Sequence, residues 1–245
     1  CTNKLLINPD KTKLILFGTK QLLSKIPDIR VPFIGQHLTP VSSVKDLGII
    51  LDSNITFNEY VNTLTSSLIS ILCQISRVRH LFSKSVLTTI LNCLVFCKLF
   101  FYSTVWSGTF AYNINKLQLV QNFAARVLTN TKKFDHISPV LRALCWPSIK
   151  NQLLVRDVTM LYKIVNGLAP PYLECYVNKR SAIQRYNTRF RDSLIVPFCR
   201  TATAQRSFSY KAITAWNFLI SEETKNSATL SVFMRAVKCE IYNSP

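Results

Sequence analysis

Residues 56–81 read TFNEYVNTLTSSLISILCQISRVRHL. The opening Thr56-Phe57-Asn58-Glu59 has the spacing of a capping box, in which hydroxyl and carboxylate each satisfy a backbone donor that the first helical turn leaves unpaired. A long helix is therefore expected from Thr56 to about Leu81, with a break at Ser83. Downstream, a second helix is expected from Ser85 to about Trp106 and a third from Asn113 to about Thr129, where Leu117, Val120, Ala124, Val127 and Leu128 share one face. This block reads as a helical bundle. Upstream, the apolar runs Leu14–Phe17, Val31–Ile34 and Leu47–Leu51 are separated by Gly18, Gly35-Gln36 and Pro40, and they read as strands.

Beyond Lys133, Pro139, Pro147, Pro170 and Pro171 punctuate shorter pieces. Leu153 to Val165 has helical periodicity through Leu154, Val158, Leu161 and Val165 until Gly167 stops it. Between Lys179 and Lys211 eight basic residues stand against one acid, Asp192, so this part reads as a basic linker around one short strand at Leu194-Ile195-Val196. Two helices close the chain, about Ser207 to Ile220 and about Leu230 to Tyr242. Their apolar faces are Ala212, Ala215, Trp216 and Leu219, and Leu230, Phe233, Val237 and Ile241. The expected class is mainly α with a small β part, in segments 1–55, 56–133, 134–178, 179–206 and 207–245.

Composition narrows the function. The 245 residues carry 30 Lys+Arg against 12 Asp+Glu, a net +18, and 48% are hydrophobic with only 5 glycines. That much apolar surface excludes a disordered tail, and the scarcity of glycine argues against a glycine-rich nucleotide loop. Charge of one sign on a folded chain costs self-repulsion, so a polyanionic partner is expected, either nucleic acid or an acidic membrane surface. The most membrane-like stretch, Val86 to Trp106, is interrupted by Thr88, Thr89, Asn92, Lys98 and Ser103, and it reads as a buried helix, with a membrane span the minor alternative. Eight dispersed cysteines without a CxxC read as buried free thiols of a reducing compartment. Cys73, His80, Cys93 and Cys97 lack the tight pairing of a structural zinc site. A chain that opens on Cys1 without a leader is expected to be a fragment.

Four segments, in order, carry a family resemblance: Ile7-Asn8-Pro9-Asp10-Lys11-Thr12-Lys13, Val44 to Asp52, Leu119-Val120-Gln121-Asn122-Phe123-Ala124-Ala125-Arg126, and Asn166-Gly167-Leu168-Ala169-Pro170-Pro171-Tyr172-Leu173. Together they resemble the C-terminal half of reverse transcriptases from LINE-type (non-LTR) retrotransposons, the RNA-directed DNA polymerases of jockey-like mobile elements. Phe134 to Leu141 and Ala215 to Leu219 fall in the expected order as well, so the likeness covers nearly the whole chain. The resemblance implies that 1–55 is the end of a polymerase palm with a primer-grip hairpin at Val44–Asp52. It implies a helical thumb over 56–133, then a helical C-terminal region. Asp46 departs from the family's aromatic-Leu-Gly at the grip.

Two-metal phosphoryl transfer needs closely placed carboxylates to hold Mg²⁺, and the chain contains no Asp-Asp pair. Asp10, Asp28, Asp46 and Asp52 are scattered at turns and strand ends. The catalytic aspartates are thus expected upstream of Cys1, in missing palm and fingers. No catalytic residue, metal site or bound cofactor is expected here, and Mg²⁺ is implied only for the full-length polymerase. No polymerisation by this chain alone is expected.

Candidate nucleic-acid contacts follow from charge. Lys11 and Lys13 stand where the resemblance implies a lysine near departing pyrophosphate, although two solvated lysines entering an edge strand would read the same way. Lys45 and Gly48 belong to the grip hairpin. Arg77, Arg79, His80 and Lys84 cluster near the end of the first long helix, and Lys116, Arg126, Lys132 and Lys133 flank the third. Such cations gain affinity for phosphates by counterion release, and at helix C-termini they also complement the helix dipole. Arg185, Arg189, Arg191, Arg200 and Arg206 are interleaved with Tyr186, Phe190, Phe198, Phe208 and Tyr210, a mixture suited to stacking on unpaired bases. Asp135 reads as a helix start, and Trp106, Trp146 and Trp216 as packing residues. The expected partners are RNA and an RNA/DNA hybrid, not a membrane, in an intracellular, cytoplasmic or nuclear, ribonucleoprotein. The competing reading is a degenerate remnant that acts at most as a helical protein-interaction module.

Overall fold

The computed structural model describes residues 7–182 and 193–243. The chain forms two compact units, residues 1–64 and 65–245. Its architecture is mainly helical with a few small sheets, as the sequence pattern predicts.

In the first unit the Asn8-Pro9 pair opens a 3-10 turn, Pro9–Lys11, with the Asn8 carboxamide accepting from Asp10 N at 2.9 Å. The turn leads into β1 (Leu14–Ile15), followed by β2 (Val31–Phe33), β3 (Gln36–Leu38), β4 (Pro40–Val41), β5 (Ser43–Asp46) and β6 (Ile49–Asp52). These strands make three separate two-stranded ladders: β1 with β4 in parallel, and the antiparallel hairpins β2/β3 and β5/β6. A palm remnant implies a few antiparallel strands; two of the three pairs are antiparallel, and β1/β4 is parallel instead. At the tip of β5/β6, Leu47 (φ 45) and Gly48 (φ 93) both have positive φ. That is the two-residue turn whose twist matches the strands, and Gly48 tolerates its backbone without a Cβ penalty.

The first long helix, α1, spans Asn58–Val78. Thr56 N and Oγ1 and Phe57 N all donate to the Asp52 carboxylate, at 2.6 to 3.0 Å. A carboxylate at the end of β6 therefore locks the entry to the helix and favours its positive N-terminal end. The capping box pointed to Glu59 and missed Asp52. Tyr60, Val61, Leu64, Leu68, Leu72 and Ile75 form the buried stripe of α1.

In the second unit α2 (Lys84–Leu91) begins at Ser83, whose Oγ accepts from Val86 N. It passes into a wider π turn at Asn92–Phe96 and a short turn at Cys97–Leu99. The expected helix to Trp106 is broken at Tyr102, which takes a left-handed φ of 42, and the Trp106 indole N–H caps the stranded Phe101 carbonyl at 2.9 Å. The expected burial of this stretch is corrected too: Leu87, Leu91, Val95, Leu99 and Trp106 are buried, whereas Val86, Leu94, Phe101, Tyr102 and Val105 are exposed. Among the described residues no helix is long and apolar enough to cross a membrane.

Next come α3 (Ala111–Thr129), α4 (Ser138–Ala143), α5 (Ile149–Val165), α6 (Phe208–Leu219) and α7 (Leu230–Asn243). Helix α5 packs against both α6 and α7. Their shared core is an aromatic trio: Tyr162 stacks on Phe233 at 4.0 Å, and Trp216 lies 5.8 Å from Phe233. The Tyr162 hydroxyl donates to Ser227 O at 2.7 Å, so this ring is buried without losing its polar partner. Leu194 is buried in the same core, and the Asn217 carboxamide brackets its backbone with two hydrogen bonds, at 2.8 and 3.0 Å. The expected strand at 194–196 is reduced to a single bridge between Lys179 and Leu194. Leu219, assigned to the apolar face of α6, is exposed. Cys73, Cys93, Cys97, Cys145, Cys175 and Cys239 are exposed and unpaired, which corrects the expectation of buried thiols.

Candidate nucleic-acid interface

Two of the basic clusters meet at one end of the second unit. Helix α1 runs out at Val78 into the 3-10 turn Arg79–Leu81, and α3 ends at Asn130, which is left-handed at φ 57. Asparagine accepts that backbone more readily than most residues and so serves as a helix stop. The Arg79 guanidinium donates to the Asn130 side-chain oxygen and joins the two helix ends.

Arg126 organises the loop that follows. Its guanidinium donates to the Lys132 carbonyl and, at 2.8 Å, to the Asp135 carbonyl. The Asp135 carboxylate accepts from Lys132 N at 3.1 Å. Asp135 therefore closes this loop rather than starting a helix, since α4 begins at Ser138 without a side-chain cap. The loop presents Lys132, Lys133 and Phe134, the last 93% exposed with the Lys133 ammonium 5.8 Å from its ring centre. Arg77, His80 and Lys84 are exposed beside the Arg79 turn, and among the described residues none of the side-chain cations of Arg77, Lys84, Lys132 and Lys133 is in an ion pair with a carboxylate. Arg77 lies in the last turn of α1, where the helix dipole favours a cation, whereas Lys84 opens α2 at the positive end, where it gains nothing from the dipole.

The other candidates separate. In the first unit Lys11, Lys13 and Lys45 are exposed, with Lys13 immediately before β1 and Lys45 in β5. Arg185, Arg189 and Arg191 lie outside the described residues. Arg200 sits 5.7 Å from the ring of Phe198, which is 86% exposed. Arg206 is engaged internally instead: its Nε donates to Gly108 O at 3.1 Å and its guanidinium lies 4.0 Å from the Phe110 ring centre. The backbones approach so closely that a Cβ on Gly108 would lie 2.4 Å from Arg206 O. Arg206 is half-buried, and these contacts hold its guanidinium against the chain itself.

Lys211 is likewise committed. Asp157 of α5 is fully buried, and its carboxylate accepts from Ser107 Oγ at 2.8 and 3.0 Å and from Lys211 Nζ at 3.3 Å. The Lys211 ammonium also donates to Ser107 O at 3.0 Å. Burial pushes the Asp157 carboxyl up to about 6, against the pull of Lys211 and the Ser107 hydroxyl. This buried trio was missed in the sequence. Its one signal was an acid at the 153, 157, 161 spacing of the buried face of α5.

No family model, curated protein or solved structure matches this chain.

Proposed function

We propose that this chain is a nucleic-acid-holding part of a LINE-type reverse transcriptase, binding template RNA and the RNA/DNA hybrid without carrying the polymerase chemistry. In this reading residues 1–55 are the end of the palm, the Val44–Asp52 hairpin is the primer grip, and residues 56–133 are the thumb. The observation that supports it best is the basic end joined by Arg79 and Asn130, where Arg77, Lys84, Lys132 and Lys133 lack acidic partners beside the exposed Phe134 ring. Cations without carboxylates release counterions on meeting phosphate, and an exposed ring offers a stacking surface for a base. The net charge of +18 leaves most of the 30 cations without an acid to match them.

The experiment is a fluorescence anisotropy titration of the purified chain against single-stranded RNA and an RNA/DNA hybrid, at about 50 and about 200 mM salt, with a primer-extension assay in Mg²⁺ alongside. Binding that weakens steeply with salt, without nucleotide incorporation, is expected. Absence of binding at the lower salt would overturn the reading, and primer extension would overturn its non-catalytic part.

A further inference from the structure

A second feature of the second unit, with no residue in common with the basic end, is formed where residues of α5 and α7 and the π turn line one pocket. The pocket, of about 500 Å³, is lined by Phe96, Phe100, Trp146, Arg156, Lys238 and Tyr242 among others. Its wall is one continuous run of π surfaces. Trp146 meets Phe96 edge-on at 4.8 Å, Phe96 lies parallel to Phe100 at 6.3 Å, and the Arg156 guanidinium covers Phe100 at 3.7 Å. The π turn contributes its first and last residues, Asn92 and Phe96, to the pocket lining. Such turns recur at functional sites in helices.

The electrostatics of the pocket have one sign. Arg156 and Lys238 line it, and no acid does. Among the described residues Arg156 has no carboxylate within ion-pair distance, and its one bond is from Nη1 to the Gln152 carbonyl at 3.2 Å. The guanidinium lies 3.7 Å over the ring centre, and with one N–H on the Gln152 carbonyl four of its five donors remain uncommitted. Burial draws the group below its ordinary value, partly offset by the Tyr242 hydroxyl, so the site gains from an incoming anion. A ligand that fits this wall is flat and aromatic at one end and anionic at the other. The cavity is within the size range that encloses a compact small molecule.

We propose that this pocket binds a 5′-phosphorylated nucleoside, its base against the Trp146–Phe96 wall and its phosphate on Arg156 and Lys238. The same chemistry has two sources, a free nucleotide or the 5′ end of a strand. The site shares no residue with the basic end at Arg79 and Asn130, so it stands or falls separately.

Trp146 reports on the pocket, since Trp106 and Trp216 are buried. The test is a titration of the whole chain with adenosine 5′-monophosphate, followed by tryptophan fluorescence and calorimetry, with adenosine and inorganic phosphate as separate probes. Saturable quenching by the nucleotide is expected, with either half alone binding at least tenfold more weakly. Arg156→Gln should weaken the nucleotide at least tenfold. The exposed Lys238→Gln, which leaves the core untouched, should weaken it severalfold. Trp146→Phe should keep the calorimetric heat and lose the quenching. A 5′-phosphorylated RNA oligonucleotide compared with its unphosphorylated form identifies the source, in a variant with Arg77, Lys84, Lys132 and Lys133 changed to Gln so that the basic end is silent. Absence of heat and quenching with every phosphorylated probe at millimolar concentration overturns the proposal. So does binding that Lys238→Gln and Arg156→Gln both leave unchanged, or phosphate that binds as tightly as the nucleotide.

Discussion

The Arg79 guanidinium reaches the side-chain oxygen of Asn130, 51 residues further along, and fastens the end of the first long helix to the left-handed stop of the third. Two cation clusters that are distant in sequence thereby become one surface. Asn130 supplies both the backbone conformation and the acceptor. Asn130→Ala should therefore cost about 2 kcal/mol, from the left-handed penalty and the lost hydrogen bond, and Asn130→Gly should cost about 1 kcal/mol less. Chemical denaturation of the two variants measures the difference.

The β5/β6 turn makes a prediction of opposite sign. Leu47 is 77% exposed and holds a φ of 45 that a leucine disfavours. Leu47→Asn creates the preferred Asn-Gly pair and should stabilise the hairpin by about 0.5–1 kcal/mol, read as a rise in denaturation midpoint.

Gly108 is required by packing. A Cβ there would lie 2.4 Å from the Arg206 carbonyl oxygen, a backbone atom that cannot rotate away. Gly108→Ala should destabilise the second unit by about 2–3 kcal/mol and lower the thermal midpoint accordingly.

Asp157 ties stability to pH. Its carboxyl is raised to about 6, whereas in an unfolded chain it titrates near about 3.9, so between these values the folded protein holds the extra proton. The contribution of this group to stability is therefore largest below about pH 4 and falls as pH rises through about 6, by about 3 kcal/mol in all. Urea denaturation across that window should show the fall in the parent chain, and Asp157→Asn should lose it. An identical slope in both proteins would contradict the assignment.

Periodicity made the helical frame legible. Leu117, Val120, Ala124, Val127 and Leu128 bury the face of α3 as expected, and Phe233, Val237 and Ile241 do so in α7. What stayed hidden depends on contacts between distant residues or on backbone without a sequence signature. The left-handed break at Tyr102 has no Gly or Pro to announce it. The Asp52 cap lies four residues before Thr56, outside the capping-box spacing. For the candidate site, the basic residues were legible but their sorting was not. Arg206 under Phe110 and Lys211 on Asp157 look in sequence like Lys132 and Lys133, because a cation's partner 54 or more residues away leaves no local pattern.

The most direct measurement is the salt dependence of RNA affinity in the parent chain and in the variant with Arg77, Lys84, Lys132 and Lys133 changed to Gln. Each phosphate contact on a single strand contributes about 0.7 to the slope of log Kd against log salt, so the variant should bind more weakly and lose about 2–3 from that slope. Equal affinity and equal slope in the two proteins would contradict a nucleic-acid surface at the Arg79–Asn130 end.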